Sequence, residues 1–399
     1  MCAVALVNNS VTCCLGSTFV SMRIAVTAIF LNSGPLEGYG HYSKELLRQL
    51  LNLETEHTFL FLYDRPLLEP PFLHPRVTHR VVGPATRQPF SQALWYHVKA
   101  AWVVRRWQAD VWLQPYGFAS FFSTTPQTLI VHDLAPFHLP GDLPWYHRWH
   151  YRLFTKTALK KAKTLAAVSQ TTRTDLQQLF PFSANRPIAL LPGAPREGFH
   201  PLDWEEKKAV KEQYTGGHEY LLVAGSIHPR KNLLTVLKAF SLFKKWQKTN
   251  MKLVIVGRWA WQNEGLQEKL KTYKYRDDLV ITGYVADEVL FRLTGAAYTL
   301  IYPSRLEGFG LPLLEAMQSG VPVIASDHPA LRETGGDAAI YFAAEKPEEL
   351  YEQCLRLYKD EQLKKQLIDA GHQQAARYSW HTTAIALNEL LQKTGAAKE

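Results

Sequence analysis

The feature that most constrains this chain is a regular alternation of short apolar runs with longer stretches of helical period. Apolar runs fall at residues 23–29, 58–63, 77–82, 110–114, 127–131, 164–168 and 187–191, and again at 220–224, 252–256, 279–281, 298–302 and 321–325. Each is short and strand-like, and 220–224 and 298–302 read as strands buried on both sides. Between them lie helical patterns, for example through Leu46, Leu47 and Leu50, through Trp95, Val98, Trp102 and Val103, and through Leu233, Leu237 and Phe240. Strands that alternate with helices join in parallel through crossovers, and the helices then cover both faces of the sheet. The expectation is an α/β protein built of doubly wound, Rossmann-like sheets.

At 399 residues the chain exceeds what one hydrophobic core serves, and 46% hydrophobic with 20% charged residues is ordinary for a globular protein. Two domains are expected, at 22–200 and 201–380, facing across a cleft. Pro192, Gly193, Pro195 and Pro201 break both periodic patterns and mark the connector. A last helical segment within 381–399 is expected to cross back to the first domain. Residues 1–21 carry no charge and three of the four cysteines, lack a basic leader, and are interrupted by Asn8-Asn9-Ser10; they form an extension of uncertain status, with Met22 the expected start. With Cys354 alone in the remainder, no disulfide framework is expected, and a reducing cytoplasm suits the chain.

The chemistry concentrates where strands hand over to helices. After the run ending at Tyr302 comes Pro303-Ser304-Arg305-Leu306-Glu307-Gly308-Phe309-Gly310-Leu311-Pro312, then a helix through Glu315. Gly308 and Gly310 allow positive φ and close approach of main-chain N–H groups to a ligand, and the helix that follows points its positive end at the same place. An anion such as a diphosphate is favoured there. Glu307 and Glu315 flank that position and supply acceptors for sugar hydroxyls. A second unit has the same form: the run ending at Ala224 leads into Gly225-Ser226, then Arg230-Lys231-Asn232 and a helix. Arginine and lysine at such a turn suit phosphate oxygens.

In the first half, Gly38-Tyr39-Gly40 follows the opening strand and reads as a glycine loop able to bend over a ligand. The run 127–131 ends in His132-Asp133-Leu134, where His132 can meet a sugar hydroxyl and Asp133 can steady His132, shape the acceptor site or bind the attacking hydroxyl. Taken together, Glu307 and Glu315 with seven residues between them, Gly225-Ser226 with Arg230-Lys231-Asn232, and Gly38-Tyr39-Gly40 resemble the retaining glycosyltransferases of family four, of GT-B fold. The resemblance covers nearly the whole chain from Met22. It implies that Arg230 and Lys231 neutralise the donor diphosphate, that Glu315 binds the ribose, and that Glu307 binds a hydroxyl of the transferred sugar. It further implies that the backbone N–H groups of Phe309, Gly310 and Leu311 complete the phosphate cradle, that Gly38 and Gly40 close over diphosphate or acceptor, and that Val285 meets the nucleotide base. His132-Asp133-Leu134 resembles bacterial mannosyltransferases of that family, which points to GDP-mannose. Front-face attack by the acceptor hydroxyl, with retention at the anomeric carbon, is implied as well.

Lysine plus arginine outnumber aspartate plus glutamate by 19 to 11 over residues 22–200, and by 26 to 25 over 201–399. The basic excess lies in the half that receives the acceptor in this family, which suits a glycan or lipid-pyrophosphate acceptor, or contact with an acidic membrane surface. The stretch 144–154 interleaves aromatic with basic residues and reads as a helix packed on the core or as a face touching lipid headgroups. No nucleic-acid-binding motif is present, and the basic excess is spread over a large domain. No metal-ligand spacing stands out, so neither cofactor nor metal is expected beyond the nucleotide-sugar donor. A nucleotide-sugar epimerase and a non-catalytic sugar-nucleotide binder remain open as alternatives.

Overall fold

The computed structural model describes residues 21–32, 36, 38–67, 69–86, 88–142, 145–259 and 264–396, without the side chains of 89, 142, 145–150, 152–153 and 264. The extension before residue 21 lies outside the described residues.

The first lobe holds β1 (Arg23–Thr27), β2 (Thr58–Tyr63), β3 (Val77–Val81), β4 (Val111–Gln114), β5 (Gln127–Val131), β6 (Thr164–Ala167) and β7 (Ile188–Leu190). They form one sheet in the order β3-β2-β1-β4-β5-β6-β7, every pair parallel. The second lobe holds β8 (Tyr220–Ala224), β9 (Lys252–Val256), β10 (Leu279–Gly283), β11 (Thr299–Tyr302), β12 (Val323–Ser326) and β13 (Ala339–Phe342) in the order β10-β9-β8-β11-β12-β13, again all parallel. Ile24, Ala25 and Val26 of β1 are fully buried, as a strand covered on both faces requires. Strand order reverses between β1 and β4 and between β8 and β11, and in open α/β sheets ligands bind outside the carboxyl ends of the strands at such points. The two sheets turn those ends toward each other.

Three expectations need correction. The run 336–343 yields a sixth strand in the second sheet, β13, which the sequence reading missed: four residues between Gly335-Gly336 and two alanines are too few to show a period. The opening strand stops at Thr27, and Ile29–Asn32 forms a short 3-10 turn. Gly38-Tyr39-Gly40 is the first turn of the helix Gly38–Asn52 rather than a loop.

The last helix, Trp380–Gly395, packs along the first sheet. The Nε2 atom of His57 lies 2.8 Å from Asn388 Oδ1, and the Thr394 hydroxyl lies 3.0 Å from that of Thr128 and 2.7 Å from that of Thr164. The Thr383 hydroxyl donates to the Pro192 carbonyl at 2.7 Å, tying this helix to the connector as well. Residues 145–161 form a helix in which Tyr151 and Phe154 turn toward Phe118 and Phe121; the face expected for lipid is otherwise outside the described side chains. Among the described residues no helix is long and apolar enough to cross a membrane.

Candidate active site

A cavity of about 270 Å³ opens between the carboxyl ends of the two sheets, lined from both lobes. Its wall on the second lobe begins after β8, where Gly225-Ser226 leads into a short turn, Pro229–Lys231, and Asn232 starts the helix Leu233–Gln247 from a left-handed conformation. That turn aims both basic side chains into the cleft. The Lys231 ammonium donates to Glu307 Oε1 at 2.6 Å and to the Tyr302 hydroxyl at 2.8 Å, and lies 4.6 Å from the centre of the Tyr302 ring. Arg230 Nη1 donates to the Leu306 carbonyl at 3.2 Å and reaches Asp133 Oδ2 of the first lobe at 3.3 Å. Burial opposes the charge on Glu307, yet the adjacent Lys231 and Arg230 hold its carboxyl down at about 2.

The glycine turn after β11 divides two jobs. Gly310, at φ 102°, caps the helix Leu311–Gln318 in a conformation that side chains resist, and Pro312 sits in the first turn. Gly308 was expected to supply positive φ as well, but what it supplies is closeness: a Cβ there would overlap the carbonyl oxygen of His132 in the other lobe. The Gly308 carbonyl accepts from the Ser169 hydroxyl at 2.5 Å and the Thr172 hydroxyl at 3.1 Å. The start of the helix Leu311–Gln318 lines the cavity beside Glu307 and Lys231. Pro312 has no N–H and the Leu313 N–H donates to the Gly310 carbonyl at 3.0 Å, so the donors left for a ligand there are those of Gly310 and Leu311. Phe309 is largely buried, its carbonyl accepting from Thr334 at 2.6 Å.

In the first lobe, His132 Nε2 lies 2.7 Å from the Pro115 carbonyl, which places its proton there and leaves Nδ1 as an acceptor. Burial lowers its pKa, so the imidazole is neutral at pH 7. The expected support of His132 by Asp133 is not what forms. Asp133 Oδ1 instead accepts from the Ala135 N–H at 3.0 Å, and Oδ2 meets Arg230, because the chain turns into a short helix directly after Asp133.

The cavity gathers Gly38, His132, Asp133, Gly225, Ser226, Arg230, Lys231, Val285, Glu307, Gly308, Phe309, Gly310, Leu311 and Glu315. Gly40 stands apart, packed beneath Leu36 within its helix. Among the charged members that sequence reasoning missed are Arg196, Asp287 and Arg258, with His41 beside them. Arg196, on the connector, donates from Nε to Glu315 Oε1 at 2.6 Å and from Nη1 to Asp287 Oδ1 at 2.9 Å, and its Nη1 lies 3.0 Å from His41 Nδ1. Burial raises the Glu315 carboxyl while Arg196 pulls it back. Burial and the neighbouring Arg196 depress His41 to about 4, so it accepts from the guanidinium as a neutral ring. A charged pair, Arg196-Glu197, inside a proline- and glycine-rich connector was the available signal.

A second cavity of about 250 Å³ runs into the first lobe from the same place, sharing Tyr39, His132, Asp133, Ser226 and Arg230 with the first and walled by Tyr116, Phe118, Phe137 and Tyr151. Among the described residues no three histidine, cysteine, aspartate or glutamate side chains converge as a metal site.

Two facing doubly wound lobes, with cations, carboxylates and a helix start at the carboxyl ends of the strands, define an enzyme of the GT-B class. The model for glycosyl transferases group 1 matches residues 205–374, and that for glycosyltransferase family 4 matches residues 37–194. The chain belongs to this family of glycosyltransferases. O-antigen chain mannosyltransferase B of Escherichia coli is 28% identical over 357 residues, spanning 87% of this chain and 93% of its own. Sucrose-phosphate synthase from Thermosynechococcus elongatus superposes with a TM-score of 0.78 at 18% identity, over 94% of this chain and 100% of that one. Anabaena HepE, solved with UDP and glucose, gives 0.73 at 17% identity, over 93% and 100%.

Proposed function

We propose that this chain transfers a hexosyl group, mannose from GDP-mannose the favoured case, to a hydroxyl of a glycan or lipid-linked acceptor, with retention at the anomeric carbon. The observation that carries this reading is the convergence of Lys231, Arg230 and the helix start at Leu311 on one patch of the cleft, with Glu307 held ionised beside them. Cleaving a sugar–phosphate bond places charge on the leaving diphosphate, and fixed cations with backbone N–H groups stabilise that charge without reorganising. Glu307, already ionised, accepts from a hydroxyl of the transferred sugar, and Glu315 from the ribose. His132, neutral with Nδ1 as acceptor, faces the place where the two cavities meet and suits a hydrogen bond from a sugar hydroxyl. The aromatic walls of the second cavity suit the apolar faces of an acceptor sugar, and the sugar specificity is favoured by the mannosyltransferase relative. Contact between lobes excludes water from the reacting carbon.

The test is an assay of nucleoside-diphosphate release from GDP-mannose and UDP-glucose with and without a mannosylated lipid-pyrophosphate acceptor, with the product anomer assigned by NMR. Acceptor-dependent release of GDP and an α-linked product are expected. Conversion of the donor without acceptor would indicate an epimerase, no release under any condition a binder, and a β-linked product an inverting enzyme.

A further inference from the structure

The connector between the lobes is packed rather than loose. A Cβ on Gly193 would press on Leu311, Phe309 and Trp380, and one on Gly198 would overlap the Phe291 ring, so glycine at both positions lets the connector lie against the second lobe. This packing carries Arg196 into the wall of the donor cavity with 7% of its side chain exposed. The guanidinium sits 5.0 Å from the centre of the Phe199 ring and 5.4 Å from that of Phe291, which fixes its plane. Held so, it meets Glu315 at 2.6 Å, Asp287 at 2.9 Å and His41 at 3.0 Å, on three different helices.

We propose that Arg196 is a positioning residue for nucleoside recognition: it fixes the Glu315 carboxylate in the rotamer and charge state that accept hydrogen bonds from the ribose hydroxyls. The inference rests on the reading of Glu315 as the ribose acceptor. A carboxyl buried to 4% exposure cannot stay ionised without a partner, and a protonated one offers a weaker acceptor. Arg196 binds one oxygen, Oε1, of a carboxylate that lines the cavity, and leaves the other for a ligand hydroxyl. Because Arg196 belongs to the connector and also holds His41 of the first lobe, the ribose site is complete only when connector and first lobe are in place.

The experiment is calorimetric binding of GDP and UDP against their 2′,3′-dideoxy forms, with donor KM and kcat, for the wild type, Glu315→Gln, Arg196→Gln, Arg196→Lys and the Glu315→Gln/Arg196→Gln double variant. The wild type is expected to prefer the ribonucleotide by tenfold or more. Arg196→Gln should erase most of that preference, raise KM for the donor while kcat at saturation falls less than threefold, and add nothing further in the Glu315→Gln background; Arg196→Lys should restore part of the preference. If Arg196→Gln and Arg196→Lys weaken ribo and dideoxy forms equally, or lower only kcat and thermal stability, Arg196 is a strut between lobes and the inference fails. If Glu315→Gln itself leaves the preference intact, the ribose reading fails first, a distinct result.

Discussion

The pairing of Lys231 with Glu307 shows how much one contact must do at the bottom of this cleft. Their side chains are 16% and 10% exposed, so each charge has given up most of its water, and the 2.6 Å contact replaces it. The Glu307 carboxyl stands at about 2, below the ordinary value of about 4.3, so its contribution to stability is complete above that ordinary value. It is lost only as the pH falls toward 2. Removing Lys231 reverses the sign, because a buried carboxyl without its main cation is raised by burial and costs least when protonated. Lys231→Ala is therefore expected to cost about 3 kcal/mol at pH 7 and distinctly less at pH 4.5, measured by urea denaturation at both values. A penalty independent of pH would show that Arg230 alone keeps Glu307 ionised.

Among the elements, the strand–turn–helix units were legible wherever local chemistry announced them. The strand-like runs located all seven strands of the first sheet and five of the six in the second, most of them apolar because both faces are covered; β3, at the edge of its sheet and largely exposed, carries Thr78, His79 and Arg80 instead. Glu307, Lys231 and Arg230 were legible for the same reason, lying within a few residues of a strand end. Arg196 was not, because its meaning depends on Glu315, 119 residues away, and no local pattern encodes such a meeting. Nor could the sequence say which job each glycine has. The role of Gly308 is set by His132 on a different sheet, and Gly308→Ala tests it. The added methyl must separate two backbones, an overpacking cost of about 1–3 kcal/mol. Transfer should fall at least about tenfold with donor binding retained, measured by kinetics and calorimetry. Wild-type kinetics in Gly308→Ala would mean that the approach of these turns is dispensable.

At the scale of the whole molecule, the lobes meet along one edge of the cleft through a contact that chemistry makes separable. Glu333 of the second lobe places its carboxylate at the start of the first-lobe helix Gln170–Leu179, accepting from the Gln170 N–H at 2.6 Å and from the Thr171 N–H and hydroxyl at 2.9 Å each. A carboxylate at a helix N-terminus gains from charge-assisted bonds and from the dipole together. The contact is half in solvent and touches neither cavity, so its loss should change how often the lobes meet without altering the site itself. In the proposed reaction closure keeps water from the reacting carbon, so a molecule that opens more often should spill more donor to hydrolysis. Glu333→Ala is expected to raise the radius of gyration of the free protein in small-angle scattering and to raise the ratio of donor hydrolysis to transfer severalfold, with the melting temperature changed by only a few degrees. Unchanged scattering with an unchanged ratio would assign closure to the remaining contacts between the lobes, the Gly308 junction and the Arg230–Asp133 pair among them.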